Sequence, residues 1–226
     1  MRNFTLKISS FFNLVLAVLF FLIVIPSNAQ VCGTPGVDGP VNVSGSVNTY
    51  FPIAGDITLN AGGQSIHLGA VPVNDPKNNF GTIPISTGDL ILIIQMQDAT
   101  ISYTNTIFYG SGTDKGGPDN LGGTGFTAVG NSGVFEYVIA TSDVPLTGGN
   151  LTFKGTDVGG GVRNSFFNAA ATTLRGKRTF QVVRVPQYSN LNLTSSITTP
   201  PFNGVAGGII AFNVSGVFNF GGFTID

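Results

Sequence analysis

Charged side chains make up only 9% of this 226-residue chain, and that scarcity constrains its fold more than any other feature. A helix in water buries one stripe and needs charged or strongly polar residues around the rest of its surface. This sequence cannot supply them. Glycine, by contrast, occurs 32 times and phenylalanine 19 times. Glycine, asparagine and serine build tight turns, and β-branched and aromatic residues build strands. Disordered chains are rich in charge and poor in aromatics, so the composition specifies a folded, all-β protein.

The N-terminus points to export. Arg2 and Lys7 give it positive charge, an apolar run from Phe11 to Ile25 follows with Asn13 as its polar interruption, and Pro26 ends the run ahead of Ser27-Asn28-Ala29. Residues 1–29 therefore read as a secretory signal peptide cleaved before Gln30. The apolar run of 15 residues falls short of the ~20 that a spanning helix needs, so no membrane span is expected after cleavage. A lipid anchor is disfavoured, because Ala29-Gln30-Val31 before Cys32 lacks the leucine and small residues that lipid attachment uses. Cys32 is the sole cysteine, which excludes an internal disulfide and a cysteine-based metal site. Without Arg2 and Lys7 the chain keeps eight basic and eleven acidic side chains, a net charge of −3. No basic patch is available for nucleic acid. The expected location is secreted or cell-surface.

After an extended lead-in over 30–44, residues 45–195 read as a β-sandwich or barrel-like domain. Asp56–Leu59 and Ser65–Leu68 alternate apolar and polar residues, the sign of half-buried strands, with a turn at Ala61-Gly62-Gly63. The strongest strand is Leu90–Met96, apolar on both faces and preceded by Thr87-Gly88-Asp89; Leu90, Leu92 and Ile94 are expected to be buried. Further strands are expected at Val134–Thr141, Leu151–Lys154, Phe180–Val185 and Leu191–Thr194, with Pro186 ending the Phe180 strand because proline cannot donate to a ladder. Ser165–Arg175, centred on three alanines, is the one helix candidate. From 196 to 226 very short apolar segments alternate with glycine turns, a spacing that suits the beginning of a β-solenoid-like extension. The pattern runs to Asp226 without the polar cap of a terminal rung. The chain is accordingly expected to be the N-terminal part of a longer protein, with Ile210, Phe212, Phe218, Phe220 and Phe223 partly exposed.

Residues able to carry chemistry are few. Histidine-based nucleophilic catalysis requires a base, and the single histidine, His67, lies opposite the apolar face of its strand. Sugar-bond hydrolysis needs two facing carboxylates, and Glu136 has no second carboxylate whose position the sequence fixes; inward-facing and paired is the structural reading of it. No catalytic, cofactor-binding or metal-binding residue is assigned. Asp114, Asp119 and Asn120 in the glycine-rich loop 110–125 offer hard oxygen ligands for calcium, but their spacing matches no calcium motif and a solvated turn is the simpler reading. The segment Gly110–Gly116 is only superficially phosphate-loop-like, since it lacks the Gly-Lys-Ser/Thr ending. Arg175-Gly176-Lys177-Arg178 is the one basic cluster, read as a solvated turn in preference to an acidic-polysaccharide contact. A transmembrane β-barrel would show even alternating segments and aromatic girdles, and this chain, with five tyrosines and no tryptophan, shows neither.

Three segments carry a resemblance. Thr87-Gly88-Asp89-Leu90-Ile91-Leu92-Ile93-Ile94-Gln95-Met96-Gln97, Val182-Val183-Arg184-Val185-Pro186-Gln187-Tyr188-Ser189-Asn190 and Pro200–Gly204 with Gly207–Phe212 resemble segments of very large secreted and surface proteins of Bacteroidota-type bacteria. The resemblance covers most of residues 31–226 and implies an adhesin-like, gliding-motility-associated protein exported by the type IX route; it implies no catalytic residue. The expected function is a non-catalytic structural or adhesive module, with surface glycans or other cell-surface proteins as partners. The alternatives are a carbohydrate-binding module, for which Tyr50, Phe51, Phe108 and Tyr109 are the candidate exposed aromatics, and part of a polysaccharide-degrading enzyme.

Overall fold

The structure, a computed structural model, describes residues 32–74, 76–101, 127–172 and 175–226. Among them are fifteen strands and no helix: β1 (Pro40–Val43), β2 (Thr49–Pro52), β3 (Ile57–Leu59), β4 (Ser65–Leu68), β5 (Leu90–Gln97), β6 (Thr100–Ile101), β7 (Thr127–Ala128), β8 (Phe135–Ala140), β9 (Gly149–Lys154), β10 (Phe166–Asn168), β11 (Thr179–Val185), β12 (Gln187–Tyr188), β13 (Asn190–Leu193), β14 (Asn213–Val214) and β15 (Phe218–Asn219). The all-β expectation holds. The signal segment 1–29 and the glycine-rich loop 110–125, with Asp114, Asp119, Asn120, Phe108 and Tyr109, lie outside the described residues.

A six-stranded antiparallel sheet in the order β2-β11-β5-β8-β9-β4, curled as a half-barrel, forms the centre. Its middle strands β5 and β11 carry apolar residues on both faces, whereas β4 and β9 bury them on one. On one face Ile91 and Ile93 of β5, Val138 of β8 and Phe180 and Val182 of β11 join one buried cluster. On the other, Leu90 and Leu92 of β5 and Val183 and Val185 of β11 join a second. The period of two along a strand thus divides one apolar run between two cores. The antiparallel pair β3–β10 covers the first face, with Leu59 opposite Phe166 and both side chains in the cluster. The second face is covered by Phe80 and by the C-terminal segment through Ala206, Ile209 and Ala211. Leu90 and Leu92 are buried as expected, whereas Ile94 is half-buried.

The helix expected over Ser165–Arg175 is not formed: Phe166–Asn168 is strand β10, and Ala169 bridges Arg178 in antiparallel fashion. Local alanine content lost to packing and pairing. Phe166 is fully buried, and the buried Gln95 side chain takes the Phe167 N–H on its Oε1 at 2.8 Å and donates its Nε2 to the Phe167 carbonyl at 2.8 Å. An extended backbone alone presents both groups to one amide.

Two more buried amides fasten the C-terminal segment in the same way. Gln181 donates to the Gly207 carbonyl and accepts the Gly207 N–H, each at 2.8 Å. Gly207 has φ +99°, a conformation open to glycine at little cost. Asn48 accepts the Ala211 N–H at 3.0 Å and donates to the carbonyls of Ala211 and Arg184. Tyr50, wholly buried, donates its hydroxyl to the Ile209 carbonyl. Burial raises the Tyr50 pKa above its ordinary value, against the lowering effect of the hydrogen bond with Thr199.

The strands on either side of this centre pair differently. β1, β13 and β15 form a three-stranded sheet in that order, and both pairings are parallel. β12 and β14 pair in parallel as well, and Ile197 bridges Ile225 in parallel. The segment read as an extended lead-in therefore contributes a strand, β1. A third apolar cluster, built on Tyr188, Leu191, Leu193 and Ile197, lies beneath these strands.

Candidate functional site

Arg184 joins the two sheet systems. Its guanidinium donates to Asp89 at 2.8 and 3.0 Å and to Asp38 at 2.7 Å, with its side chain 8% exposed. Asp38 uses its other oxygen to accept the Gln187 N–H at 2.6 Å. Burial pulls the Arg184 pKa down, but the hydrogen bonds and charges of Asp89 and Asp38 outweigh it and the net shift is upward. The triad pins the N-terminal segment and β12 onto the end of β11.

Beside this junction is an open cleft of about 570 Å³. Its walls include Pro35 from the N-terminal segment, Leu90 and Tyr137 from the central sheet, Gln187 from β12, and Val214 and Ser215. The Gln187 side chain is buried and its Oε1 has no hydrogen-bond partner; it presses on Gly33, where a Cβ would collide with it. Tyr137 opens from the cleft onto a shelf. It meets Phe135 edge-on at a centroid distance of 6.0 Å, and the two are 39% and 54% exposed. Tyr137 stands opposite Leu92 and Phe135 opposite Ile94 in the β5–β8 register, so both project from the face that the C-terminal segment covers elsewhere. Ile139, farther along β8, packs into the covered cluster, while Phe135 and Tyr137 stay outside it.

The parallel sheet presents a second concavity, also of about 570 Å³, lined by Val41, Asn42, Asn190, Asn192, Val217 and Asn219. Here the Asn192 Nδ2 donates to Asn42 Oδ1 at 3.1 Å, and the Asn219 Nδ2 donates to Asn192 Oδ1 at 2.8 Å. Each asparagine sits between apolar neighbours, Val41-Asn42-Val43, Leu191-Asn192-Leu193 and Phe218-Asn219-Phe220. Alternation turns the apolar pair inward and the asparagine outward. Stacked side-chain amides of this kind strengthen parallel, in-register strands.

The candidate residues from the sequence fall out as follows. Tyr50 and Phe51 are fully buried, which corrects their reading as exposed aromatics: each serves one face of β2, packing in the two opposed cores. Among the described residues the exposed aromatics are Phe135, Tyr137, Phe220 and Phe223. Sequence signals for both sites existed, in the Phe-Glu-Tyr alternation of β8 and in the recurring apolar–Asn–apolar triplet. His67 is exposed between buried Ile66 and Leu68, as its alternation requires. Glu136 faces inward and is paired: it accepts the backbone N–H groups of Arg163 at 2.8 Å and Asn164 at 2.6 Å, and the Asn164 Nδ2 at 2.8 Å. The basic cluster disperses to separate partners within the chain. Arg175 pairs with Asp98 at 2.6 Å, Lys177 donates to the Gly204 carbonyl at 2.8 Å, and Arg178 lies 4.9 Å over the Phe167 ring.

Among the described residues no group of three or more His, Cys, Asp or Glu side chains is placed to hold a metal ion, and no helix is long and apolar enough to cross a membrane. No protein-family model matches the sequence, and neither the curated proteins nor the solved structures give a match.

Proposed function

We propose that this chain is a non-catalytic structural or adhesive module of a bacterial secreted or cell-surface protein, in which a sandwich or half-barrel domain carries the first rungs of a solenoid-like stack. The observation that carries the reading is the parallel stack itself. Leu191 pairs with Phe218, Tyr188 with Val214 and Ile197 with Ile225, so each contact links positions 26 to 28 residues apart. These contacts belong to one return of the chain, which lays its second pass parallel to the first, and rungs of a solenoid bury one another's apolar faces in that way. Exported repeat proteins use such stacks as stiff, extended surfaces, and the charged N-terminus followed by an apolar run suits that destination. The test is protease treatment of intact cells producing the full chain with its own N-terminus. The chain should be digested, or found in the medium, while a periplasmic marker stays whole. Protection of the chain together with that marker would overturn the reading.

A second reading, glycan binding, is favoured by the Tyr137–Phe135 shelf. An aromatic face next to a cleft whose apolar walls carry the polar side chains of Gln187, Asn213 and Ser215 suits a sugar ring, which stacks its C–H face and hydrogen-bonds its rim. On a glycan array the full chain should then bind one class of glycan, with Tyr137→Ala lowering the signal about tenfold and leaving the fold intact, since Tyr137 is half-exposed. A blank array, or equal binding by the variant, would dispose of this reading.

A further inference from the structure

We infer that the outer face of β8 and β9 takes an acidic glycan, with a uronate ring stacked on Tyr137 and its carboxylate against the Lys154 ammonium. The inference rests on the glycan-binding reading of the Tyr137–Phe135 shelf and names the class of sugar.

Three observations set an unpaired cation beside that shelf. First, Ile139 of β8 stands opposite Lys154 of β9, so Tyr137, two residues back along β8, is the diagonal neighbour of Lys154. Diagonal neighbours on one face of an antiparallel pair lie about 7–8 Å apart, within reach of aromatic and long side chains. Secondly, the two side chains share a face. Leu151 and Phe153 of β9 turn into the first core, so the period of two turns Thr152 and Lys154 outward, and Lys154 is exposed. Tyr137 and Phe135 project from that same side, while Glu136 between them faces inward. Thirdly, the ammonium is uncompensated. Lys154 forms no ion pair among the described residues. The acidic residues flanking these positions in the chain are turned to other partners. Glu136 accepts the N–H groups of Arg163 and Asn164, and Asp157 Oδ2 accepts the Gly159 N–H at 3.3 Å within its own loop.

That arrangement selects the sugar. A pyranose lying flat on an aromatic ring presents C–H groups to it and holds its substituents sideways at the rim. The carboxylate of a uronate is such a rim group. In the pose that turns it across the sheet toward β9, it meets the ammonium, where a neutral hexose offers only a hydroxyl. Beyond Lys154 on the same face, the hydroxyls of Thr141 and Thr152 share one hydrogen bond at 2.8 Å, which leaves a proton to donate to the next ring. Exposed ion pairs are weak, so the preference for the acid is about three- to fivefold.

The test is calorimetric titration of the purified full chain with hexamers of galacturonate, of mannuronate and of glucuronate alternating with N-acetylglucosamine. Each is run beside its carboxyl-reduced counterpart, which keeps the linkages and loses the charge. At least one acidic hexamer should bind about three- to fivefold more tightly than its reduced form, a difference that high salt erases. Lys154→Gln should remove the preference, leave the affinity for the reduced form as it was, and keep the melting temperature. Lys177→Gln removes the same charge where the ammonium already donates to the Gly204 carbonyl, and should keep the preference. Equal binding of acid and reduced form in every pair, or a preference that survives Lys154→Gln or is lost equally in Lys177→Gln, would overturn the inference. Tighter binding of a sulfated galactan hexamer than of every uronate would do the same. In those cases Tyr137-dependent binding of the reduced sugars would still uphold the glycan reading. If no sugar of either series binds, or if Tyr137→Ala binds them all as the parent does, that reading falls and the inference with it.

Discussion

Leu92→Asp is expected to leave the chain without a cooperative unfolding transition. Leu92 is 4% exposed, and its strand lies between β11 and β8 in the central sheet. Its side chain belongs to the cluster that Tyr50, Val183 and the covering C-terminal segment share. The substitution removes a buried leucine, worth about 2–5 kcal/mol, and sets a carboxylate in an apolar cluster, which costs several kcal/mol more. A domain has only about 5–15 kcal/mol in total. Thermal unfolding followed by near-ultraviolet circular dichroism reads the result directly. A melting temperature equal to the parent's would show that β5 is not the core strand described.

Arg184→Ala is expected to destabilise the fold by about 3–5 kcal/mol, the usual cost of breaking a buried ion pair from one side. The loss arises less from attraction forgone than from Asp38 and Asp89 being left in place without their cation. Both are less than a quarter exposed, so water cannot fully compensate. Denaturant titration measures the total. Hydrogen exchange at the Gln187 N–H separates the local part, because Asp38 accepts that group only while Arg184 holds it in position. A change below about 1 kcal/mol, the range of exposed pairs, would show that the triad is solvated and incidental.

Much of the fold was legible in the residue pattern, and the exceptions share a cause. β5, β8, β9 and β11 announce themselves because burial demands an apolar residue at every position or every second one. β10 did not, because what makes it a strand is an amide on Gln95, 72 residues away, and no local preference encodes a partner at that distance. β1 was hidden for the same reason: Pro40–Val43 reads as linker until Asn190–Leu193 lies beside it. Tyr50 and Phe51 were misplaced because an aromatic pair looks alike whether one side or both meet a core, and β2 has a core on each side. The two concavities were less visible still. Each is lined by residues far apart in the chain, which is a property of the assembled molecule.

The continuity of β11 into β12 has a mechanical consequence. Only Pro186 separates β11 of the antiparallel sheet from β12, which pairs in parallel with β14, and only Ser189 separates β12 from β13, which carries the other parallel strands. Tension applied to the parallel strands would therefore enter the central sheet along the axis of β11, which has neighbours on both sides. Antiparallel hydrogen bonds lie across the strand direction, so such a pull loads both rows in shear, all at once, and cannot peel them one by one. The molecule is anchored from its middle, and the stack should tear before its foundation does.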